Sequence, residues 1–178
     1  LVTALRLFSE KGYFATSIHD IRQQAGVSTG AIYHHFGNKE AIAQSLYDSL
    51  LSRMDDEIAA CVRVHSDCLG RCRAIVTLLF ELAAREPDTM QFVLLAKHRD
   101  YLPEHSPICS SGPFMRMRQV LEDGIRDGEV RDMAPWVAAT AMFGGALRMM
   151  NLHLDGVLER PLADYLDQVV ECAWRAVR

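Results

Sequence analysis

Residues 16–40 read TSIHDIRQQAGVSTGAIYHHFGNKE, and the order of turn and cap residues in them decides the fold. Ser17 and Asp20 form an S-x-x-D start, a variant of the capping box, with Ile18 and Ile21 facing inward. Gly26 closes that helix, because a sharp turn needs a residue at ease with positive φ. Ser28 caps the next helix, which runs through Ile32 to about His35, and Asn38 caps another. Two short helices around a tight turn, with a third start directly behind, is the layout of a helix-turn-helix. Such a unit lays a small helix against the edges of DNA bases.

The leading end of that second helix, Ser28-Thr29-Gly30-Ala31, is free of bulk, as entry into a major groove requires. Ser28 caps the helix and offers a donor to a phosphate at the positive end of the helix dipole. Thr29 and Gly30 lie in the first turn, where side chains meet base edges. Gly30 lowers helix propensity, a local cost that close approach to a base explains. Ile32 and Phe36 are spaced to anchor the helix, leaving Tyr33 and His34 to project towards DNA. Lys39 stands at the first turn of the following helix, where a cation opposes the dipole, so a nearby phosphate is a natural reason for it. Thr16 and Ser17 are expected to donate to the DNA backbone in the same way, fixing register while base contacts choose sequence.

Outward from this stretch the spacing is helical throughout and strand signals are almost absent. A first helix carries Leu1, Ala4, Leu5 and Phe8 on one face and stops at Gly12. From Lys39 to Val64 neither Pro nor Gly intervenes, which predicts a helix of roughly 35–40 Å at 1.5 Å per residue. Further helices are expected over about 67–85, from Pro87 to before Pro103, from Pro113 to near Gly128, and over about 135–155 and 162–177. Residues 103–113, with three prolines and Ser-Ser-Gly, form the one long loop. The expectation is an all-α fold of about nine helices, with residues 1–45 a DNA-binding domain and 46–178 a larger helical domain.

Composition is that of an ordinary globular chain: 49% hydrophobic, 24% charged and a net charge of −4 over 178 residues. That balance argues against indiscriminate polyanion binding but permits a local DNA-binding face. Within residues 1–50, Arg6, Lys11, Arg22 and Lys39 oppose Glu10, Asp20, Glu40 and Asp48, a sum of zero. A basic arm ahead of Leu1 would tip this balance, and the helical start without Met leads us to expect one. No run of about 18 uncharged apolar residues reads as a membrane span. Five cysteines, an odd number without a paired framework, point to reduced thiols and a cytoplasmic protein. Cys68 and Cys72 share a helix face and read as packing residues, with a redox or metal pair as the alternative.

The segment Thr16-Ser17-Ile18, Asp20-Ile21, Ala25 through Phe36 and Asn38-Lys39-Glu40 resembles the signature of the tetracycline-repressor (TetR) family of bacterial transcription regulators. The resemblance covers about residues 1–50. It implies an all-helical homodimer that binds double-stranded operator DNA, usually as a repressor, and responds to a small-molecule effector. By the same resemblance Ser28, Tyr33, His34 and Lys39 contact phosphates, and Thr29 and Gly30 lie near bases.

In the remainder, Ala141, Gly145, Met149 and Leu152 fall near one stripe of the penultimate helix, and Tyr165, Val169 and Ala173 form another on the last. Gly144-Gly145 inside a helix is costly unless something packs very closely there, as a four-helix bundle of two subunits does. A ligand cavity is expected among the middle helices, with Phe80, Met90, Leu94, Phe114, Met117, Trp136 and Phe143 as apolar candidates. His98, Arg148 and Asn151 are the polar ones, because polar groups on apolar helices need partners. For Arg148 the choice is an anionic head group or an ion pair with Glu122 or Asp155. No metal or cofactor is expected; His98, His105 and Cys109 follow no recognised zinc spacing. An enzyme is disfavoured by the lack of a Gly-rich phosphate loop, a G-x-S-x-G turn or an H-E-x-x-H motif. Cys109 near His105 is the one conceivable nucleophile arrangement.

Overall fold

The computed structural model describes residues 1–95, 98–102 and 107–178. Among them are nine α-helices and no strand: α1 (Val2–Lys11), α2 (Ile18–Ala25), α3 (Thr29–Phe36), α4 (Lys39–Val62), α5 (Cys68–Arg85), α6 (Pro87–Leu95), α7 (Gly112–Arg126), α8 (Pro135–Leu154) and α9 (Leu166–Val177). Single 3₁₀ turns lie at His98–Asp100, Ile108–Ser110 and Leu162–Tyr165. The last helical stretch therefore opens as a 3₁₀ turn, and the expected long loop carries one at its described end.

The chain divides into two units, residues 1–51 with 88–107 and residues 52–87 with 108–178. In the first, α1, α2 and α3 are set by the caps that their sequence dictates. Ser17 and Asp20 close a complete capping box, with Ser17 N to Asp20 Oδ2 at 2.8 Å and Asp20 N to Ser17 Oγ at 3.1 Å. Gly26 ends α2 at φ +66°, in the left-handed region. Ser28 Oγ accepts from Ala31 N at 3.1 Å, and Asn38 Oδ1 from Ala41 N at 2.7 Å. Leu7, Phe8, Ile21, Ile32, Ile42 and Leu46 are buried, one inward stripe from each helix.

The same unit takes in the segment after α6 starts. Phe92 stacks on Phe8 at 6.0 Å between ring centroids, and Tyr101 on Tyr13 at 3.8 Å and 9°. His98 is buried between them. Its Nε2 lies 2.6 Å from the Phe92 carbonyl, which can only accept, so Nε2 carries the proton. Nδ1 then accepts from the Tyr101 hydroxyl at 2.7 Å.

In the second unit α5 packs against α7, α8 and α9, and α8 against α9. Ile75, Val76, Leu82, Leu121, Met142 and Met150 are among its fully buried side chains. Asp67 caps α5 by accepting from Gly70 N at 2.7 Å. Across the unit, Arg116 Nε and NH2 donate to the two oxygens of Asp55 at 2.7 and 2.8 Å.

Candidate nucleic-acid interface and apolar cleft

α3 shows a nearly continuous exposed surface. Ser28, Thr29, Gly30, Ala31, Tyr33, His34 and His35 are exposed, while Ile32 is buried and Phe36 half-buried. The apolar anchors hold the helix from below, and every residue expected at its leading end faces solvent. Tyr33 is 52% exposed, with its ring and hydroxyl open to solvent on this face. A Cβ added at Gly30 would find only Ser28 Oγ, at 4.0 Å. Glycine there is not demanded by packing among the described residues.

Two of the expected DNA-backbone donors are placed differently. Thr16 is 1% exposed, and its hydroxyl lies 2.9 Å from the Gly12 carbonyl oxygen and 3.1 Å from that of Leu7. It ties down the end of α1 and does not reach a phosphate. Lys39 is half-buried; its ammonium donates to the carbonyl oxygens of Tyr13 at 3.0 Å and Thr16 at 2.9 Å. It also sits 4.2 Å from the centroid of the Tyr13 ring. The cation beside the helix N-terminus thus has two carbonyl partners within the chain, which tie the start of α4 to the α1–α2 turn. Ser17 is exposed, but its hydroxyl donates to Asp20 Oδ2 at 2.5 Å. That bond, with the Ser17 backbone N–H, holds the Asp20 carboxyl below its ordinary range.

Four of the apolar ligand candidates come together. Phe114, Met117, Trp136 and Phe143 line a cleft of about 130 Å³ between α7 and α8, with Cys109, Arg118 and Leu147 beside them. Arg118 lies over the Trp136 ring at 4.7 Å and donates to Glu122 at 2.9 Å. Sequence reasoning did not find Arg118, because only the pairing of α7 with α8 sets it beside Trp136. The remaining candidates do not join the cleft. Phe80 is core, and Met90, Leu94 and His98 belong to the other unit, where His98 is engaged by Phe92 and Tyr101. Arg148 is exposed, and Glu122, one of its two expected carboxylates, is held by Arg118. Asn151 is half-buried, with Oδ1 buried and unbonded. His105 lies outside the described residues.

Of the expected subunit contacts, Ala141, Met149, Leu152, Tyr165 and Val169 are half-buried and Gly145 is exposed. A Cβ on Gly145 would meet nothing within 4 Å. Ala173 is 8% exposed and belongs to the chain's own core, a correction that follows from the stripe of α9 facing inward with Val170 and Val177. Among the described residues no helix is long and apolar enough to cross a membrane.

Comparison with known proteins agrees with this geometry. Residues 1–46 match the family described as bacterial regulatory proteins, tetR family, and residues 47–178 match the tetracyclin repressor-like C-terminal domain. The chain is 28% identical over 136 residues to the transcriptional repressor KstR2 of Rhodococcus jostii, covering 72% of this chain and 64% of that protein. It is 27% identical over 174 residues to the transcriptional regulator TtgR of Pseudomonas putida, covering 86% and 79%. The fold is similar to that of the regulator FadR from Bacillus subtilis, solved with stearoyl-CoA, with a TM-score of 0.85 at 21% identity over 99% and 97% of the two chains. These matches are to DNA-binding regulators and not to enzymes. The chain belongs to the tetR family of bacterial regulatory proteins.

Proposed function

We propose that this regulator binds a palindromic operator as a homodimer and is released from it by a small, largely apolar effector. Residues 1–45 act as the DNA-binding domain, and residues 46–178 hold the effector and the partner subunit. The observation that carries the reading is the exposed leading end of α3, where Ser28, Thr29, Gly30, Tyr33 and His34 face solvent over a buried Ile32. Two such helices about 34–36 Å apart reach successive major grooves on one face of a duplex.

The dimer reading draws on α8. A glycine pair in mid-helix lowers helix propensity, yet no described residue comes within 4 Å of a Cβ built on Gly145. A second copy of α8 and α9 supplies the close neighbour, across Ala141, Met149, Leu152, Tyr165 and Val169. The effector reading draws on the cleft between α7 and α8, whose Phe114, Met117 and Phe143 suit an apolar group. That a regulator of similar fold was solved with stearoyl-CoA makes acyl thioesters the first compounds to try. An effector that binds better to a conformation unsuited to the operator shifts the population away from DNA. α4, unbroken from Lys39 to Val62, contributes residues to both units and is the natural lever.

The test is fluorescence anisotropy with duplex DNA from upstream of the gene itself. Tyr33→Ala, which removes an exposed ring, is expected to keep its unfolding midpoint and lose binding by about 1–3 kcal/mol. Unchanged affinity in a folded Tyr33→Ala would remove the reading's support.

A further inference from the structure

Cys68 and Cys72 are both buried in the second unit, with their sulfur atoms 4.0 Å apart. Cys68 is the first residue of α5. Its Sγ points to the Val120 carbonyl oxygen at 3.5 Å, and its backbone N–H donates to Glu129 Oε2 at 2.9 Å. α7 passes so close that a Cβ on Gly124 would lie 2.6 Å from Cys68 Sγ. Four residues apart on one face of α5, the two thiols are helix neighbours, and no third His, Cys or carboxylate makes a metal-holding group with them among the described residues. What the pair can do is join as a disulfide when an oxidant takes two electrons from it.

We propose that Cys68 and Cys72 are a hydroperoxide-oxidised dithiol whose closure to a disulfide unwinds the first turn of α5. The geometry gives the coupling. Residues four apart on a regular helix hold their Cβ atoms about 5–6 Å apart, whereas a disulfide needs about 3.5–4.5 Å. The bond therefore cannot form while the turn stays helical. Only one turn has to open, because α5 starts at Cys68. That turn is held by Arg71 N to the Asp67 carbonyl at 3.1 Å and Gly70 N to Asp67 Oδ1 at 2.7 Å. Gly70 within it is a poor helix former. The same opening brings Cys68 to solvent, which a buried thiol requires before it reacts.

The chemistry balances. The Cys68 thiolate attacks the peroxide, forming an S–O bond as the O–O bond breaks, and the departing oxygen leaves as an alcohol or water. The Cys72 sulfur then attacks Cys68, forming S–S as S–O breaks, and hydroxide leaves with the Cys72 proton as water. Two thiols lose two electrons and two protons, and the hydroperoxide is reduced. Cys68 is the attacking sulfur because it is the first residue of α5 and the one that the opened turn exposes; the hydrogen bond between the two sulfurs holds its thiol below the ordinary range and raises that of Cys72.

The experiment uses the full reduced chain exposed to hydrogen peroxide, alkylated and digested with trypsin. Cleavage after Arg63, Arg71 and Arg73 leaves the two cysteines on separate peptides, 64–71 and 72–73. A disulfide holds them together until a thiol reductant releases them. The expected result is that linked pair, with faster amide hydrogen exchange over residues 68–73 in the oxidised chain alone. In Cys72→Ser both signals vanish and Cys68 becomes reactive to dimedone as a sulfenic acid. Oxidation of the exposed Cys109 and Cys172 with the pair left reduced overturns the proposal. So does a Cys61–Cys68 bond, or a Cys68–Cys72 bond formed without change in exchange.

Discussion

The ammonium of Lys39 donates to the carbonyl oxygen of Thr16 at 2.9 Å, joining the start of α4 to the residue that enters α2. The same group bonds the Tyr13 carbonyl and covers the Tyr13 ring. A residue expected to meet DNA thus also braces the α1–α2 turn. Lys39→Met keeps the aliphatic stem and strands two carbonyls, so a stability loss of about 1–3 kcal/mol is expected in urea unfolding. Its operator binding should keep the slope of log K against log salt. A slope reduced by about one unit would instead mark Lys39 as a phosphate contact.

Gly30→Ala separates folding from recognition. The added methyl has open space around it, and alanine favours the helix, so stability should rise by about 0.4–1 kcal/mol. Operator affinity is expected to fall, because the methyl stands between α3 and the base edges. A variant that is more stable and binds DNA undiminished would show that Gly30 serves neither packing nor approach.

Gly145→Glu does the same for the dimer. A Cβ at this exposed position meets nothing within 4 Å among the described residues, so the far-UV spectrum and cooperativity of unfolding should be kept. Sedimentation velocity should change from dimer to monomer, since a carboxylate would be buried against its symmetric copy. Persistence of the dimer places the subunit contact elsewhere.

The Asp55–Arg116 pair sets a pH dependence. Hydrogen bonding from Arg116 holds the Asp55 carboxyl below its ordinary range. A depressed folded pKa adds stability above the unfolded value, about 3.9, and loses it as pH falls through the folded value. The Arg116 side chain is 40% exposed, so solvent screening limits the pair to about 1 kcal/mol even with two-point geometry. Asp55→Asn should cost that much in urea at pH 7, with the gap closing towards pH 3. A gap that is the same at both values rules out the ion pair as its source.

The fold class, the capped starts of α2, α3 and α4 and the exposed face of α3 were legible in the sequence because they depend on neighbours, whereas α6 ends at Leu95, short of the expected approach to Pro103. Ser17 with Asp20, Gly26, Ser28 and Asn38 each act within one turn of backbone, and the 3.6-residue stripe names the buried side. The partners of Thr16 and Lys39 were not, since Thr16 reaches Leu7, 9 residues away, as well as Gly12, and those of Lys39 lie 23–26 residues away. The cleft was half legible: Phe114, Met117, Trp136 and Phe143 showed as apolar positions, while Arg118 and the exclusion of Phe80 waited on how α7 meets α8. Local hydrogen bonds and periodicity thus determined which segments are helices and which residues lead α3. Tertiary structure alone decided which polar groups remain free to meet a partner, because a donor's availability depends on acceptors that folding brings to it from far along the chain.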